Sequence, residues 1–341
     1  MRFFDGLGEV PPGFGPSAVT VGKFDGLHLG HRDVLRQLHE IADRRGLLKA
    51  VVTFDRNPLS LLSPEKCPAP LVSNAQKREL LESAGVDATL MLHFDAELAA
   101  QAPELFVESV LVGALHAQAV LCGADFRFGA RGSGDIELLR RLGVEHGFDV
   151  VVLDDVQFDE AGASRRASST WVRELLGQGR VREAAQVLGR LPSIRSTVVH
   201  GEQRGRELGY PTANLDPDIE GYLPLDGVYA TWVVVDGERY GAATSIGNNP
   251  TFDGVPMHQV ETHMFDQNLD VYDRPIGVQF VEYLRPMKKF ESVESLVAQL
   301  HRDDEQIRVI LAAEPAAMSS TAASTTDISA STSGAETAAG A

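Results

Sequence analysis

Three short stretches concentrate residue types that bind and move phosphate. The first is GKFDGLHLGH, residues 22–31. His28 and His31 lie three apart, so on one helical turn they project to one side. Gly22, Gly26 and Gly30 let backbone approach a ligand closely. The stretch follows the β-rich AVTV and precedes a helical pattern, so free N–H groups at the helix start point at the loop. Amide donors and imidazoles at a helix N-terminus suit an anion. Two other readings stay open at this level: a zinc pair lacking an evident third ligand, and two solvated histidines. The loop is neither a Walker A loop nor GxGxxG.

The second stretch is SSTWVR, residues 168–173. Ser168, Ser169 and Thr170 open a helix pattern, and Arg173 lies one turn in. The plain reading is an N-cap; the chemical one is a second anion site. The third is VVHGEQRGRELGYPTANL, residues 198–215. Gly201, Gly205 and Gly209 recur around Arg204 and Arg206, as in a phosphate flap or a flexible surface loop. Thr212 and Asn214 face one side if extended, and their oxygens suit a hard cation such as Mg²⁺.

These stretches need a frame. The first half alternates SAVTVGKF, KAVVTF, ATLMLHF, QAVLCG and FDVVVLD with helical patterns, among them SNAQKRELLESAG, whose Ser73 and Gln76 have capping-box spacing. Continuously apolar strands at this spacing predict an α/β domain with a doubly wound parallel sheet. Ligands of such sheets bind at the C-terminal strand ends, which draws the first two stretches together. Near Pro192 the texture becomes all-β, with Asp236-Gly237 as a hairpin signal, then the amphipathic SVESLVAQLHRDDEQIRVILAA. A β-barrel domain with a C-terminal helix is expected. The expected division is 1–188, 189–313 and a disordered Ala/Ser/Thr-rich tail, 314–341; Ala, Ser and Thr make 20 of the 27 residues from Pro315.

The chain has 341 residues and a formal charge of −17, with no basic run, which argues against nucleic acid. No apolar run approaches about 18 residues, so no membrane span is expected. Cys67 and Cys122 read as reduced thiols. The start MRFFDGLGEVPPGFG lacks the order of a secretory leader, and a cytoplasmic location is expected.

GxFDGxHxGH at 22–31, CGADFRFGARGSGD at 122–135 and SSTxxR at 168–173 together resemble the adenylyltransferase module of the bacterial bifunctional riboflavin kinase/FAD synthetase family, with its nucleotidyltransferase Rossmann-like fold. GxxxGRxLGxPTAN, DGVYA (226–230), SIGNNPTF (245–252), VETH (260–263) and RPMKKFES (285–292) resemble that family's riboflavin kinase module. The resemblance implies phosphorylation of riboflavin to FMN by the C-terminal half. It implies adenylylation of FMN to FAD, with release of pyrophosphate, by the N-terminal half. His28 and His31 would then be catalytic at the ATP phosphates, with Gly22, Phe24, Asp25, Gly30, Ser169, Thr170 and Arg173 binding nucleotide and Asp125 and Phe128 on the flavin side. In the other half Glu261 would be the general base, Gly201, Gly205 and Pro211 would hold ATP, and Thr212 and Asn214 would hold Mg²⁺ with ATP. Riboflavin, FMN, FAD and ATP are the implied partners, the flavins being substrates and products rather than prosthetic groups; a homo-oligomer stays open.

Three departures from the family's pattern stand out. The family's FDPHP is FDRNP here, so Asn57 replaces an imidazole, and its GTNPTF is GNNPTF, with Asn248. Lys23 replaces a small or apolar residue. Asn57 alone supports the alternative of a riboflavin kinase with a weakly active or regulatory nucleotide-binding N-terminal half; a flavin-responsive regulator without turnover would not need both a base and a metal pair.

Overall fold

A computed structural model describes residues 1–160, 163–201, 209–247, 259–267 and 269–314. Gly205, Asn248 and the Ala/Ser/Thr-rich segment from Pro315 lie outside the described residues.

The first half is a six-stranded parallel sheet. Its strands are β1 (Arg2–Asp5), β2 (Ser17–Val21), β3 (Leu48–Phe54), β4 (Ala88–Leu92), β5 (Ala117–Gly123) and β6 (Asp149–Leu153), in the order β1-β4-β3-β2-β5-β6. Helix α1 (Leu29–Arg45) follows β2 and ends at Gly46, whose φ of 66° forms the left-handed cap. Helices α2 (Leu59–Leu62) and α3 (Asn74–Ser83) precede β4, and the expected Ser73–Gln76 capping box starts α3. After β4 come α4 (Ala96–Ala100) and α5 (Pro103–Phe106), the latter continuing as a π-helical run, Val107–Ala114. Helix α6 (Ile136–His146) leads into β6. The chain leaves β2 toward β3 on one side, while β5 lies on the other. The topological switch point therefore falls between β2 and β5, where open α/β sheets bind ligands.

A two-stranded ribbon, β7 (Gln157–Glu160) and β8 (Ala163–Arg166), then leads to α7 (Ser169–Gly177) and α8 (Val181–Leu188). The second half is a closed barrel of β9 (Ser193–Val199), β10 (Ala213–Leu215), β11 (Gly227–Val235), β12 (Glu238–Gly247), β13 (Gln259–Met264) and β14 (Pro275–Arg285). Asp236-Gly237 makes the β11–β12 turn with φ of 49° and 84°, the positive pair that a tight hairpin requires. Helix α9 (Val293–Ala312) packs on the outside of the barrel through Ile307 and Leu311, which meet Leu191, Ala230 and Val281.

Alternation places Tyr229, Val233, Val278 and Phe280 inside the barrel. Thr231, Thr244 and Thr262 lie fully buried on that face, and their hydroxyls bond in series at 2.7 and 2.9 Å, so no buried hydroxyl among them is unmet. Trp171, Val172, Leu175 and Leu188 of α7 and α8 belong to this same buried cluster.

Candidate active sites

A cavity of about 790 Å³ opens at the sheet's switch point. All eleven residues singled out in the first half line it: Gly22, Phe24, Asp25, His28, Gly30, His31, Asp125, Phe128, Ser169, Thr170 and Arg173. Among the described residues, none of the second group touches it.

The loop from β2 to α1 is tightly formed. Phe24 and Leu27 take φ of 47° and 41°, left-handed values that bulky residues avoid, and both are buried. Gly26, at φ 79°, is pressed against Leu71: a Cβ there would lie 2.6 Å from Leu71 Cδ1. Asp25 anchors this shape. Its Oδ1 accepts from the Leu71 N–H at 2.8 Å, its carbonyl accepts from the Ser169 hydroxyl at 2.8 Å, and its carboxylate pairs with the Arg173 guanidinium. Arg173 also donates from Nε to the Ala69 carbonyl at 2.6 Å. The guanidinium thus binds the loop of β2 to the start of α7, while Ser168 caps that helix by accepting from Trp171 N–H at 3.2 Å.

His28 is the N-cap residue of α1, and its ring stacks on His31 with centroids 3.8 Å apart. Gly30 permits this, since a Cβ there would lie 3.1 Å from the His28 ring. Nδ1 of each ring is buried and has no hydrogen-bond partner among the described residues. Burial, with Arg166 and Arg190 nearby, pushes the His28 pKa down to about 4. Burial, the neighbouring His28 and the cations Arg166, Arg190 and Lys77 hold His31 well below the usual histidine range. At neutral pH the pair is therefore uncharged, with ring nitrogens ready to donate or accept at the mouth of a helix.

Three cations here escaped sequence reasoning. Arg166, at the end of β8, lines the cavity and holds Asp125 at 2.9 Å and Asp155 at 3.0 Å. Buried Lys77 donates to the Phe54 carbonyl at 2.9 Å. Arg190 lies in the turn after α8 and is 8% exposed. Only the adjacent basic residues in SRRASST hinted at the first. Of the two residues expected on the flavin side, Asp125 is exposed, while Phe128 is buried and stacks on Phe126 at 5.4 Å. Asn57 lines the cavity and accepts from the Leu59 N–H at 3.1 Å, fixing the start of α2.

The second group gathers on the barrel's outer face. Antiparallel register places Ser245, Glu261, Asn214 and Val199 in one cross-strand row, so Glu261 and Asn214 are direct neighbours. Thr212 and Asn214 are both half-buried, and Pro211 is held where its carbonyl meets His263 Nδ1 at 2.8 Å. Gly201 sits against Asn214 so closely that a Cβ would lie 2.4 Å from Nδ2 and 2.8 Å from Oδ1. A hydroxyl and a carboxamide oxygen on one face are the donors a hard divalent cation takes, with phosphates and water completing the shell.

A family model described as FAD synthetase matches residues 13–167, and one described as riboflavin kinase matches residues 188–311. The bifunctional riboflavin kinase/FMN adenylyltransferase of Listeria monocytogenes is 35% identical over 298 residues, covering 86% of this chain and 92% of that protein. The protein of the same name from Escherichia coli K12 is 38% identical over 287 residues, covering 84% and 90%. A crystal structure described as a macrolide-efflux protein from Streptococcus pneumoniae superposes with a TM-score of 0.80 at 32% identity, covering 90% of this chain and 98% of that one. Among the described residues, no helix of the present chain is long and apolar enough to cross a membrane.

Proposed function

The chain belongs to the bifunctional riboflavin kinase/FMN adenylyltransferase family, and on that premise we propose how its residues divide the two reactions. It phosphorylates riboflavin to FMN and transfers the adenylyl group of ATP to FMN, giving FAD. Both reactions draw on ATP and a divalent metal.

The observation that carries the assignment of the first site is the convergence of the His28–His31 stack, the α1 N-terminus and the α7 hydroxyls in one cavity. In adenylyl transfer a phosphate oxygen of FMN bonds to the α-phosphorus of ATP as the bond to the pyrophosphate oxygen breaks. That nucleophile is already ionised near pH 7, so no strong base is needed. Alignment and charge stabilisation remain. His28 and His31 donate from neutral rings to the phosphates, helped by the amides of the first turn of α1. Ser169 and Asp25 fix the loop that carries them, Thr170 meets the triphosphate, and Arg173 acts through Asp25. Gly22, Phe24 and Gly30 shape the cradle, with Asp125 and Phe128 toward the flavin.

The barrel site works on an alcohol, which is a poor nucleophile. Glu261 takes the proton of the riboflavin 5′-hydroxyl as its oxygen bonds to the γ-phosphorus and ADP leaves. Thr212 and Asn214 would hold Mg²⁺ with ATP, and Gly201 and Pro211 shape the nucleotide's approach; Gly205, assigned the same role, lies outside the described residues. The metal supplies charge neutralisation on the phosphates when bound. We place the halves at 1–188 and 189–313 and the protein in the cytoplasm.

A product time course with riboflavin, ATP and Mg²⁺, resolved by chromatography, tests the division. H28A is expected to stop at FMN, and E261Q to make no FMN yet convert supplied FMN to FAD. Loss of both activities in either folded variant, or of neither, refutes the assignment.

A further inference from the structure

We propose that Arg190 is a positioning residue for adenylyl transfer: from the turn joining the two halves, packed against the start of α1, it sets a fixed positive charge near the His28–His31 pair from outside the lining of the cavity. This rests on the reading that those histidines receive the ATP phosphates.

Arg190 is a charged side chain in the wrong surroundings for a merely structural one. It is 8% exposed, its Nη1 has no hydrogen-bond partner, and no carboxylate among the described residues forms an ion pair with it. A buried cation ordinarily has a counter-charge. The charged group that acts on Arg190 is another cation, Arg32 of α1. Its neighbour Gly189 shows how close the turn lies to that helix: a Cβ there would meet Leu29 Cδ2 at 2.6 Å and Arg32 Nη1 at 3.4 Å. Leu29 is the first residue of α1 and follows His28 directly.

The remaining charged groups around it are accounted for. From α1 come Arg32 and the two histidines. From α3 come Lys77, bonded to the Phe54 carbonyl, and Glu79, which Arg195 of β9 holds at 2.9 Å. Arg195 in turn holds Glu220 at 2.8 Å. Gln279 of β14 shares the groove with Arg190 and carries no charge. The excess positive charge at the start of α1 is therefore left for a ligand in the cavity that His28 and His31 line. Burial and Arg32 push the Arg190 pKa down only to about 9, so it remains charged at neutral pH. Its field also helps to keep both imidazoles uncharged. Because Leu191 packs under α9 and β9 begins at Ser193, this charge is placed by the barrel half as much as by the sheet half.

Full-length R190Q and R190K test this. R190Q is expected to raise the KM for ATP in FMN adenylylation about tenfold, with kcat changed less than threefold and riboflavin phosphorylation unchanged on the same chain. The His28 and His31 ring resonances should titrate at higher pH in R190Q than in wild type. R190K keeps the charge, so its KM at pH 7 should stay within about threefold of wild type. A lysine without a carboxylate beside Arg32 loses its proton earlier, so the alkaline fall of adenylylation should move to lower pH in R190K while the kinase profile stays in place. An unchanged KM and unchanged histidine titration in folded R190Q overturn the proposal. If R190Q does not fold, R190K decides: an unmoved alkaline limb, or a tenfold loss at pH 7, overturns it. H28A separates the two levels. If H28A adenylylates normally, the site assignment itself fails; if H28A is inactive and Arg190 variants are normal, only the present inference fails.

Discussion

Replacing Gly201 by alanine exchanges a hydrogen for a methyl group, and the barrel site leaves no room for it. The new Cβ would stand 2.4 Å from Asn214 Nδ2, 2.5 Å from Cγ and 2.8 Å from Oδ1, where ordinary contact begins near 3.4 Å. Gly201 is not among the positive-φ glycines, so the backbone tolerates the methyl and the carboxamide must give way. Restoring contact moves it by about 1 Å, and Asn214 is too short to do so without turning its oxygen from the row it shares with Glu261. A misplacement of about 1 Å in a positioning group costs on the order of 10²-fold in rate. G201A is expected to lower kcat/KM for riboflavin phosphorylation 30- to 100-fold, on the order set by that misplacement. FMN adenylylation should be unchanged, and the melting temperature should move little, since overpacking at one half-buried side chain costs about 1–2 kcal/mol. The assay is the chromatographic time course, run once with riboflavin and once with FMN. The same substitution in an N214A background should cost almost nothing further, because the group it displaces is gone. A folded G201A with kinase activity within threefold of wild type, or an equal penalty in the N214A background, would sink the reasoning.

Three other outcomes follow from the first half. D25N removes the carboxylate from a mostly buried pair and leaves Arg173 uncompensated; it should lower stability by about 3 kcal/mol and abolish FAD formation while FMN still forms, and intact adenylylation would refute the clamp. His28, ordinarily near 6.5 and about 4 when folded, takes up its proton in the unfolded chain first as the pH falls, so stability should decline between pH 6.5 and 4. The decline from this group is at most roughly 3 kcal/mol, His31 adds in the same direction, and H28Q should flatten the curve of melting temperature against pH. A fragment ending at residue 188 should fail to adenylylate and should bind a hydrophobic dye, since α7 and α8 lose the barrel they pack against; a compact, active fragment contradicts this.

Local signals reached the fold well. The strand–helix alternation, the Ser73 capping box and the Asp236-Gly237 turn each depend on neighbours within a few residues, and each stands where it was expected. Strand β1 was missed because RFFD is four residues long and gains its identity only by pairing with β4, more than eighty positions later. Helix α8 and the β7–β8 ribbon were missed for the same reason: short elements are fixed by what they pack on. In the site, the histidines and the α7 hydroxyls were legible because loop-to-helix junctions have their own grammar. Asp25 is expected among the nucleotide-binding residues, but its bonds to Leu71, Ser169 and Arg173 join it only by tertiary contact, which no local pattern signals. Lys77 and Arg190 carry no pattern at all, and Arg166 only a neighbouring arginine; their charge matters through burial and proximity, which sequence spacing does not encode.

The matched family models stop at 167 and resume at 188, and α7 and α8 fill the interval. One face of α7 turns Ser169, Thr170 and Arg173 to the nucleotide cavity. The opposite face buries Trp171, Val172, Leu175 and Leu176 in the cluster that fills the barrel with Tyr229 and Phe280. A helix of nine residues has too little intrinsic stability to hold such a geometry alone, so its orientation is set by packing. The barrel thus supplies the floor on which one wall of the proposed adenylylation site is built, while its own outer face carries Asn214 and Glu261, the proposed kinase residues. The apolar face of α7 that orients this wall of the first-half cavity is thus the same surface that packs into the core of the barrel.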